Sequence, residues 1–167
     1  MATALDAPVD ALDPQEQRFV AIVREHGWHH TGVFEEDENP EFSYSTGFWL
    51  TLRHPEIIVF SLEQEIAGRV LWDIYRDVRN GRVFPVGVRL PDVFANIDAY
   101  LLPVGKQHYA EHLGWSHWFY GNDDFPCLQL VWPDERGNFP WDAASPQSFL
   151  ALQPDLTPAG WIQALKS

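Results

Sequence analysis

The stretch DFPCLQLVWPD, residues 124–134, carries the strongest fold signal of the chain. Its centre, residues 127–132, is a largely apolar run bounded by Pro126 and Pro133, and this pattern is typical of a central strand. The stretch has no nucleophile beside a base, no phosphate-binding glycine run and no metal-ligand spacing. It therefore predicts a buried strand and points away from a catalytic segment.

Further strand signals lie upstream of this stretch. Three segments rich in aromatic and β-branched residues, separated by Asn39-Pro40 and His54-Pro55, predict a meander. A fourth segment contains Pro85, which cannot donate to a ladder, and so predicts an edge or bulged strand. A short fifth strand follows it. These five strands, upstream of the predicted central strand, span residues 28–34, 42–49, 56–62, 83–90 and 99–104.

Two segments show helical periodicity. Residues 15–26 place Phe19 and its apolar neighbours on one face, and Gly27 stands where a left-handed C-cap is expected. In the second segment, apolar residues recur every three or four positions until Asn80-Gly81 ends the pattern. Ser61 precedes this pattern, so we expect it to cap the second helix.

The last third of the chain predicts shorter elements. Residues 106–113 read as a short helix closed by a glycine, and residues 115–120 as an aromatic strand or loop. After Asp142 the chain is rich in proline yet too apolar for free disorder. We expect this tail to lie on the domain, with a final short helix from Thr157 or Pro158.

These elements predict an α+β fold, in which a mainly antiparallel sheet carries two or three packed helices and the apolar C-terminal tail lies on the domain. A chain of 167 residues with 46% hydrophobic content has enough material for one core. We expect a single globular domain over residues 15–167. Residues 1–14 are small, acidic and without apolar periodicity, and they predict a flexible leader.

Three blocks of sequence resemble the bacterial domain-of-unknown-function family 4262. They are EDENPEFSYSTGFW at residues 36–49, HPEIIVF at 54–60, and the stretch at 124–134 followed by FPWD at 139–142. The resemblance covers the region from Gly27 to Asp142. Because the family is named for lacking an assigned activity, it implies kinship and no particular chemistry.

The charge balance of the chain is strongly acidic. Lys and Arg number 11 against 24 Asp and Glu, a formal net charge of -13 at pH 7. Such a field repels phosphate backbones and anionic lipids and attracts basic proteins, so we expect no direct nucleic-acid binding and no membrane association. An acidic surface that serves only solubility is the alternative. A start without a signal-peptide pattern predicts a cytoplasmic protein.

The residues that could carry chemistry do not form a convincing catalytic set. His108 and His112 share a helix face but lack a third ligand, so we predict no metal and no cofactor. His29 and His30 would point to opposite faces of a strand. Cys127 lies in an apolar run without a neighbouring cation, so a buried, inert thiol is expected. We predict no catalytic residue.

Acidic clusters beside aromatic residues form the main candidate site. Like charges crowded into a loop repel one another unless a cation or basic partner compensates them, and Trp and Tyr are typical anchors of protein interfaces. The predicted partner-binding residues are Glu35, Glu36, Asp37, Glu38, Glu41, Trp118, Tyr120, Asp123 and Asp124.

Two functions remain open at this point. The first is a small acidic cytoplasmic immunity or inhibitor protein that neutralises a basic toxin, for example a secreted nuclease, by covering its active site. The alternative is an enzyme or a small-molecule or metal-binding domain, with a pocket near Ser43-Gly47 and the histidines. The sequence favours the first because of its charge excess and the absence of a catalytic set.

Overall fold

The computed structural model describes residues 2–166, which form one five-stranded sheet with helices packed on both faces. No helix in this part of the chain is both long and apolar enough to cross a membrane. The strands are β1 (His29–Val33), β2 (Phe42–Thr46), β3 (Glu56–Phe60), β4 (Tyr100–Pro103) and β5 (Cys127–Val131). The helices are α1 (Pro14–His26), α2 (Phe48–Leu52), α3 (Gln64–Arg79), α4 (Tyr109–His112), α5 (Gly114–Tyr120), α6 (Gln147–Leu150) and α7 (Trp161–Ala164).

The sheet has the strand order β1-β2-β3-β5-β4. β1, β2 and β3 form the predicted antiparallel meander, β5 runs parallel to β3, and β4 is antiparallel to β5. The stretch at residues 124–134 therefore supplies an interior strand, β5, with β3 on one side and β4 on the other. The α+β class with a mainly antiparallel sheet is confirmed.

β3 shows why the sheet needs helices on both faces. Ile57 and Val59 pack against α3, whereas Ile58 and Phe60 pack into the cluster formed by α1, α4 and α5. All four side chains are at most 1% exposed. Because successive side chains of a strand alternate between faces, four consecutive apolar residues in a strand are stable only between two covering layers.

The two long helices match the periodicity of the sequence, but the start of α3 differs from the prediction. α1 begins with a capping box between Asp13 and Glu16 and ends at Gly27 in the left-handed region. Ser61 does not cap α3, which begins at Gln64 without a side-chain cap. Ser61 instead has a φ of 59°, and its hydroxyl donates to the carbonyl of Leu152, because the chain must turn sharply after β3.

The prediction of a strand or loop at residues 115–120 is wrong, since these residues form α5. Aromatic composition favours strands, but Trp115, Trp118 and Phe119 are spaced three and four residues apart and so share one helix face. All three contact Phe19 of α1, and the Trp115 ring stacks on it at 5.0 Å between centroids. Tertiary packing on α1 therefore overrides the local propensity.

The strand predicted at residues 83–90 is also wrong. This segment runs beside β4, and its backbone hydrogen bonds there are an isolated bridge between Leu90 and Ala99 and a bond from Gly87 N–H to the Leu101 carbonyl. Pro85 has no N–H, and Gly87 has a φ of 81°, so a regular ladder cannot form.

The tail lies on the domain as predicted, and two glutamine side chains hold it there. The amide of Gln153 accepts from the Trp132 N–H and donates to the Trp132 carbonyl, as a paired strand would. Gln129 of β5 makes the matching contacts with the backbone of Pro154 and Leu156. The last helix, α7, begins at Trp161, three residues after Pro158.

The leader contains two single turns of 3-10 helix, Ala4–Asp6 and Val9–Ala11. Ala4 and Leu5 pack against the cluster under α1 and α5, and Arg24 donates to the carbonyl of Leu5. The flexibility of this segment stays a prediction.

Candidate partner-binding surface

The first predicted acidic cluster lies on a tight exposed turn between β1 and β2. Glu36 and Asn39 exchange two backbone hydrogen bonds, and Asp37 between them adopts a φ of 53°, a conformation that Asp tolerates better than most residues. Glu35, Glu36, Asp37 and Glu38 are exposed. We call residues 35–38 the acidic turn.

Within residues 2–166, no carboxylate of the acidic turn forms an ion pair. Glu41, which follows the turn, is also without such a pair and is half-buried, with its carbonyl accepting from Ser61 N–H. Asp73, Asp77 and Asp98, in contrast, each contact an arginine. The acidic turn is thus a concentration of uncompensated negative charge.

A cavity of about 550 Å³ opens beside the acidic turn. Its apolar wall includes Phe42, Phe60 and Leu156, which come from β2, β3 and the tail. Phe34 also lines it, and its side chain is 76% exposed. The cavity therefore has an apolar wall, and an exposed aromatic ring is among the residues that line it.

Four carboxylate residues from separate parts of the chain line this cavity: Glu36, Glu38, Glu111 and Asp155. Asp155 already accepts hydrogen bonds from Thr157 and from the N–H of Trp161, so its carboxylate supports the tail. Glu111 of α4 is exposed and has no ion pair in the described part of the chain. Neither Glu111 nor Asp155 belongs to the predicted partner-binding set, and only the fold brings them to the acidic turn.

His108 and His112 line the same cavity. The His112 ring meets the rings of Phe42 and Phe60 edge to face, and its Nδ1 lies 3.2 Å from the His108 carbonyl oxygen. Among residues 2–166, no group of three or more His, Cys, Asp and Glu side chains is placed to hold a metal ion. These contacts support a packing role for His112 at the cavity wall.

The second predicted cluster, Asp123 and Asp124, differs from the acidic turn because Asp123 has partners within the fold. Asp123 Oδ1 lies 2.7 Å from His117 Nδ1, and its carbonyl oxygen accepts from Lys106. Asp124 is exposed. Neither aspartate lines the cavity beside the acidic turn. The structure therefore does not join the two acidic clusters into one pocket.

The two aromatic residues of the predicted surface also differ. Trp118 is half-buried and packs edge to face on Phe19 and Trp115. Tyr120 is only 3% exposed, and its hydroxyl donates to Glu56. In this fold Tyr120 is therefore held inside the core, away from the surface on which the sequence analysis placed it.

Glu56, which the sequence presents only as the start of a strand, is the centre of a buried polar network. Its side chain is inaccessible to solvent, and each carboxylate oxygen accepts several hydrogen bonds. Oε1 accepts from the Ser45 hydroxyl at 2.7 Å and from Phe48 N–H at 3.1 Å. Oε2 accepts from the N–H groups of Gly47 and Trp49 and from the Tyr120 hydroxyl.

Three of these donors belong to the first turn of α2 and the residue before it, so Glu56 serves as the cap that this short helix lacks in its own sequence. Burial raises the pKa of Glu56, and its hydrogen bonds with Tyr120 and Ser45 oppose that rise. Because all five neighbours are donors, the site fits an ionised carboxylate, which only accepts. The geometry indicates a structural role.

The alternative pocket at residues 43–47 is not an open site in this fold. Ser43, Ser45, Thr46 and Gly47 are buried, and they line none of the cavities described here. The Thr46 hydroxyl lies 2.6 Å from that of Ser116. A Cβ at Gly47 would lie 2.6 Å from the Gly27 carbonyl, so this glycine permits close approach of backbone to backbone.

His29 and His30 are half-buried, and Cys127 is buried. His29 stacks on Phe19 at 3.9 Å, whereas the ring of His30 lies against Gly68 of α3, so the two point to opposite faces as predicted. Burial lowers the pKa of His29 to about 4. Cys127 is buried, and burial raises the pKa of its thiol, which makes it a poor nucleophile.

A second cavity, of about 860 Å³, is lined in part by residues of helix α6. Trp132, Phe149 and Leu152 form much of its apolar wall, and Asp134 and Arg136 lie at its border. The Asp134 carboxylate accepts from the N–H groups of Arg136 and Asn138, which lowers its pKa and commits it to the turn.

Comparison with known proteins places the chain in a family. Neither curated proteins nor solved structures produced a match. A family model described as "Domain of unknown function (DUF4262)" matches residues 22–146 of the 167. This match contains all five strands, the long helix α3, the acidic turn and Glu56. It extends slightly beyond the region expected from the three sequence blocks, and the chain belongs to the DUF4262 family.

Proposed function

We propose that this protein is a small acidic cytoplasmic inhibitor that binds a basic protein, such as a nuclease toxin, and covers its cationic active site. The observation that carries the proposal is the acidic turn beside a cavity that has an apolar wall. The turn holds four exposed carboxylates without ion pairs in the described chain. A basic partner would supply the missing counter-charges.

Electrostatics supports this choice of partner. A net charge of -13 accelerates encounters with cationic surfaces and opposes encounters with nucleic acid. Glu35, Glu36, Asp37 and Glu38 repel one another in the free protein, and a cation placed among them relieves that repulsion. Binding therefore gives these carboxylates attractive contacts with the partner's cations and reduces the repulsion among them.

The cavity beside the turn suits a basic side chain. Lys and Arg carry long apolar stems, which can lie on Phe42 and Phe60 while the charged end meets Glu36, Glu38 or Glu111. Arg also stacks on aromatic rings, and exposed Phe34 offers such a ring. An inhibitor that inserts its own acidic surface against a nuclease competes directly with the phosphate backbone for the same cations.

The experiment is a capture assay with the purified protein as bait in an extract of the source cells, washed at low and at high salt. The variant is Glu36→Gln, Glu38→Gln and Glu111→Gln together. The matched control, Asp10→Asn, Glu25→Gln and Glu135→Gln, removes the same number of charges from exposed positions elsewhere.

We expect one basic partner that the wild type and the control retain at low salt and that the first variant loses. The partner's own activity should fall when wild-type protein is added in equal amount. Equal retention by both variants would contradict the proposed surface, and a captured partner that keeps full activity would contradict inhibition.

A further inference from the structure

β1 is an edge strand, and in residues 2–166 no strand pairs with its outer side. Within residues 2–166, the backbone of β1 pairs with β2 alone and forms no backbone hydrogen bond to any other segment. In an antiparallel pair, alternate residues direct their N–H and C=O groups away from the partner strand. The outer side of β1 therefore presents unpaired donors and acceptors in a fixed row.

This edge leads directly into the acidic surface. Val33, the last residue of β1, is 38% exposed, and Phe34 beyond it is 76% exposed. The acidic turn follows at once. Val33, Phe34, Glu36 and Glu38 all line the same cavity. A strand added beside β1 would thus run past an exposed aromatic ring towards uncompensated carboxylates.

The charge decides which kind of strand can add here. A second copy of this chain would bring another net charge of -13 and another acidic turn to the same edge, which opposes self-pairing. An extended segment rich in Lys or Arg is attracted by the same charges. Such a segment can pair its backbone with β1 and place alternate side chains towards the cavity.

We propose that the open edge of β1 binds an extended basic segment of the partner by strand addition. This inference rests on the proposed function for the identity of the partner, but it concerns the mode of binding. The backbone of β1 supplies the register and hydrogen bonds, Phe34 packs on the incoming segment, and Glu36 and Glu38 pair with its cations.

The test uses a capped peptide of about ten residues that alternates lysine and valine, long enough to cover β1. The control peptide has the same sequence with N-methyl groups on alternate amides, so it keeps the charge but cannot donate along one edge. Affinity for the full-length protein is measured by titration, and amide hydrogen exchange in β1 is followed with and without each peptide.

We expect the unmodified peptide to bind about tenfold more tightly than the N-methylated one. It should slow exchange at the alternate amides of β1 that are unprotected in the free protein. The Phe34→Ala variant should weaken binding of the unmodified peptide without changing protein stability, because this side chain is largely exposed. Equal affinity of the two peptides, or β1 amides unchanged on binding, would overturn strand addition.

The same titration separates this inference from the proposed function. If the Glu36→Gln, Glu38→Gln, Glu111→Gln variant loses affinity for both peptides equally and β1 stays unprotected, the acidic surface stands and strand addition fails. If that variant keeps its affinity and β1 is protected, strand addition stands and the acidic surface fails. A dimer of the free protein with protected β1 amides would show that a second copy occupies the edge, and would overturn the inference.

Discussion

Glu56 and the acidic turn place the same chemical group in opposite environments. Glu56 is inaccessible to solvent and accepts five hydrogen bonds, which come from β2, from α2 with the residue before it, and from α5. Glu36 and Glu38 are exposed and have no ion pair in the described chain. The first carboxylate is fully used by the fold, whereas the others remain available to a partner.

This difference teaches how to separate structural from functional acidity in a strongly acidic chain. A buried carboxylate persists only when donors replace the water that it loses. A crowded exposed group of carboxylates lowers stability slightly, and it gains nothing within the fold in return. The number of donors around each oxygen is therefore a better guide than the local density of acidic residues.

The largest expected effect on stability comes from replacing Glu56, the buried carboxylate. Glu56→Gln keeps the shape but places an amide group among N–H and O–H donors, so we expect a loss of about 3 kcal/mol in the free energy of unfolding. Urea denaturation measures it, with Glu36→Gln as the matched control, expected to change stability by about 0.5 kcal/mol or less. A Glu56→Gln protein as stable as the wild type would show that Glu56 is protonated in the fold.

Removing one donor of the same network should have a smaller effect. The Tyr120 hydroxyl donates to Glu56 and accepts from the N–H groups of Gly47 and Leu50, so Tyr120→Phe removes three contacts without changing the packed ring. We expect a loss of about 2 kcal/mol in unfolding free energy. If Tyr120→Phe in the Glu56→Gln background costs as much as it does alone, the two residues do not form one network.

Acid should destabilise the protein through His29, a half-buried basic side chain. The pKa of His29 lies at about 4 in the fold, below its usual 6.5, so the fold favours the neutral ring. This stabilisation is present above pH 6.5 and is lost as the pH falls towards 4. We expect a contribution on the order of 1 kcal/mol, less than the full shift because the ring is partly solvated.

Unfolding measured between pH 7 and pH 4 tests this contribution. The His29→Phe variant keeps a ring stacked on Phe19 and should show a shallower acid dependence than the wild type. The matched control is His26→Gln, which removes a histidine from an exposed position. An identical slope for His29→Phe and the wild type would assign the acid sensitivity to other groups.

The smallest effect on stability is expected from replacing Glu36 and Glu38, the exposed carboxylates. It should be a gain in stability, whereas replacing Glu56 should cause a loss. Glu36→Gln together with Glu38→Gln relieves repulsion within the acidic turn, so we expect stability to rise by about 0.5 kcal/mol or less at low salt. The gain should disappear at high salt because screening removes the repulsion. A clear loss of stability would show that these carboxylates support the turn and are not reserved for a partner.

Much of the fold could be predicted from the sequence. Hydrophobic periodicity identified α1 and α3, and turn residues separated the strands of the meander, because these signals arise within a few neighbouring residues. The errors occurred where distant packing decided the outcome. Residues 115–120 have the composition of a strand but become a helix against Phe19, and residues 83–90 lose their ladder at Pro85 and Gly87.

The candidate site could be predicted only in part. The acidic turn was visible because its carboxylates are adjacent in sequence. Glu111 and Asp155 could not be assigned to it, since they reach the cavity from α4 and the tail. Tyr120 was placed on the surface because it follows an aromatic cluster near acidic residues, and the sequence carries no sign that its hydroxyl turns inward.

The sequence by itself determined the α+β pattern, the acidity of the chain and its membership of the DUF4262 family, because periodicity, composition and motif spacing are local properties. Only the tertiary structure decided which carboxylates are free. Glu56 and Tyr120 are 64 residues apart in the chain, and they meet because β3 and α5 pack together. Burial depends on such contacts between distant segments, so no local pattern can distinguish a buried glutamate from an exposed one.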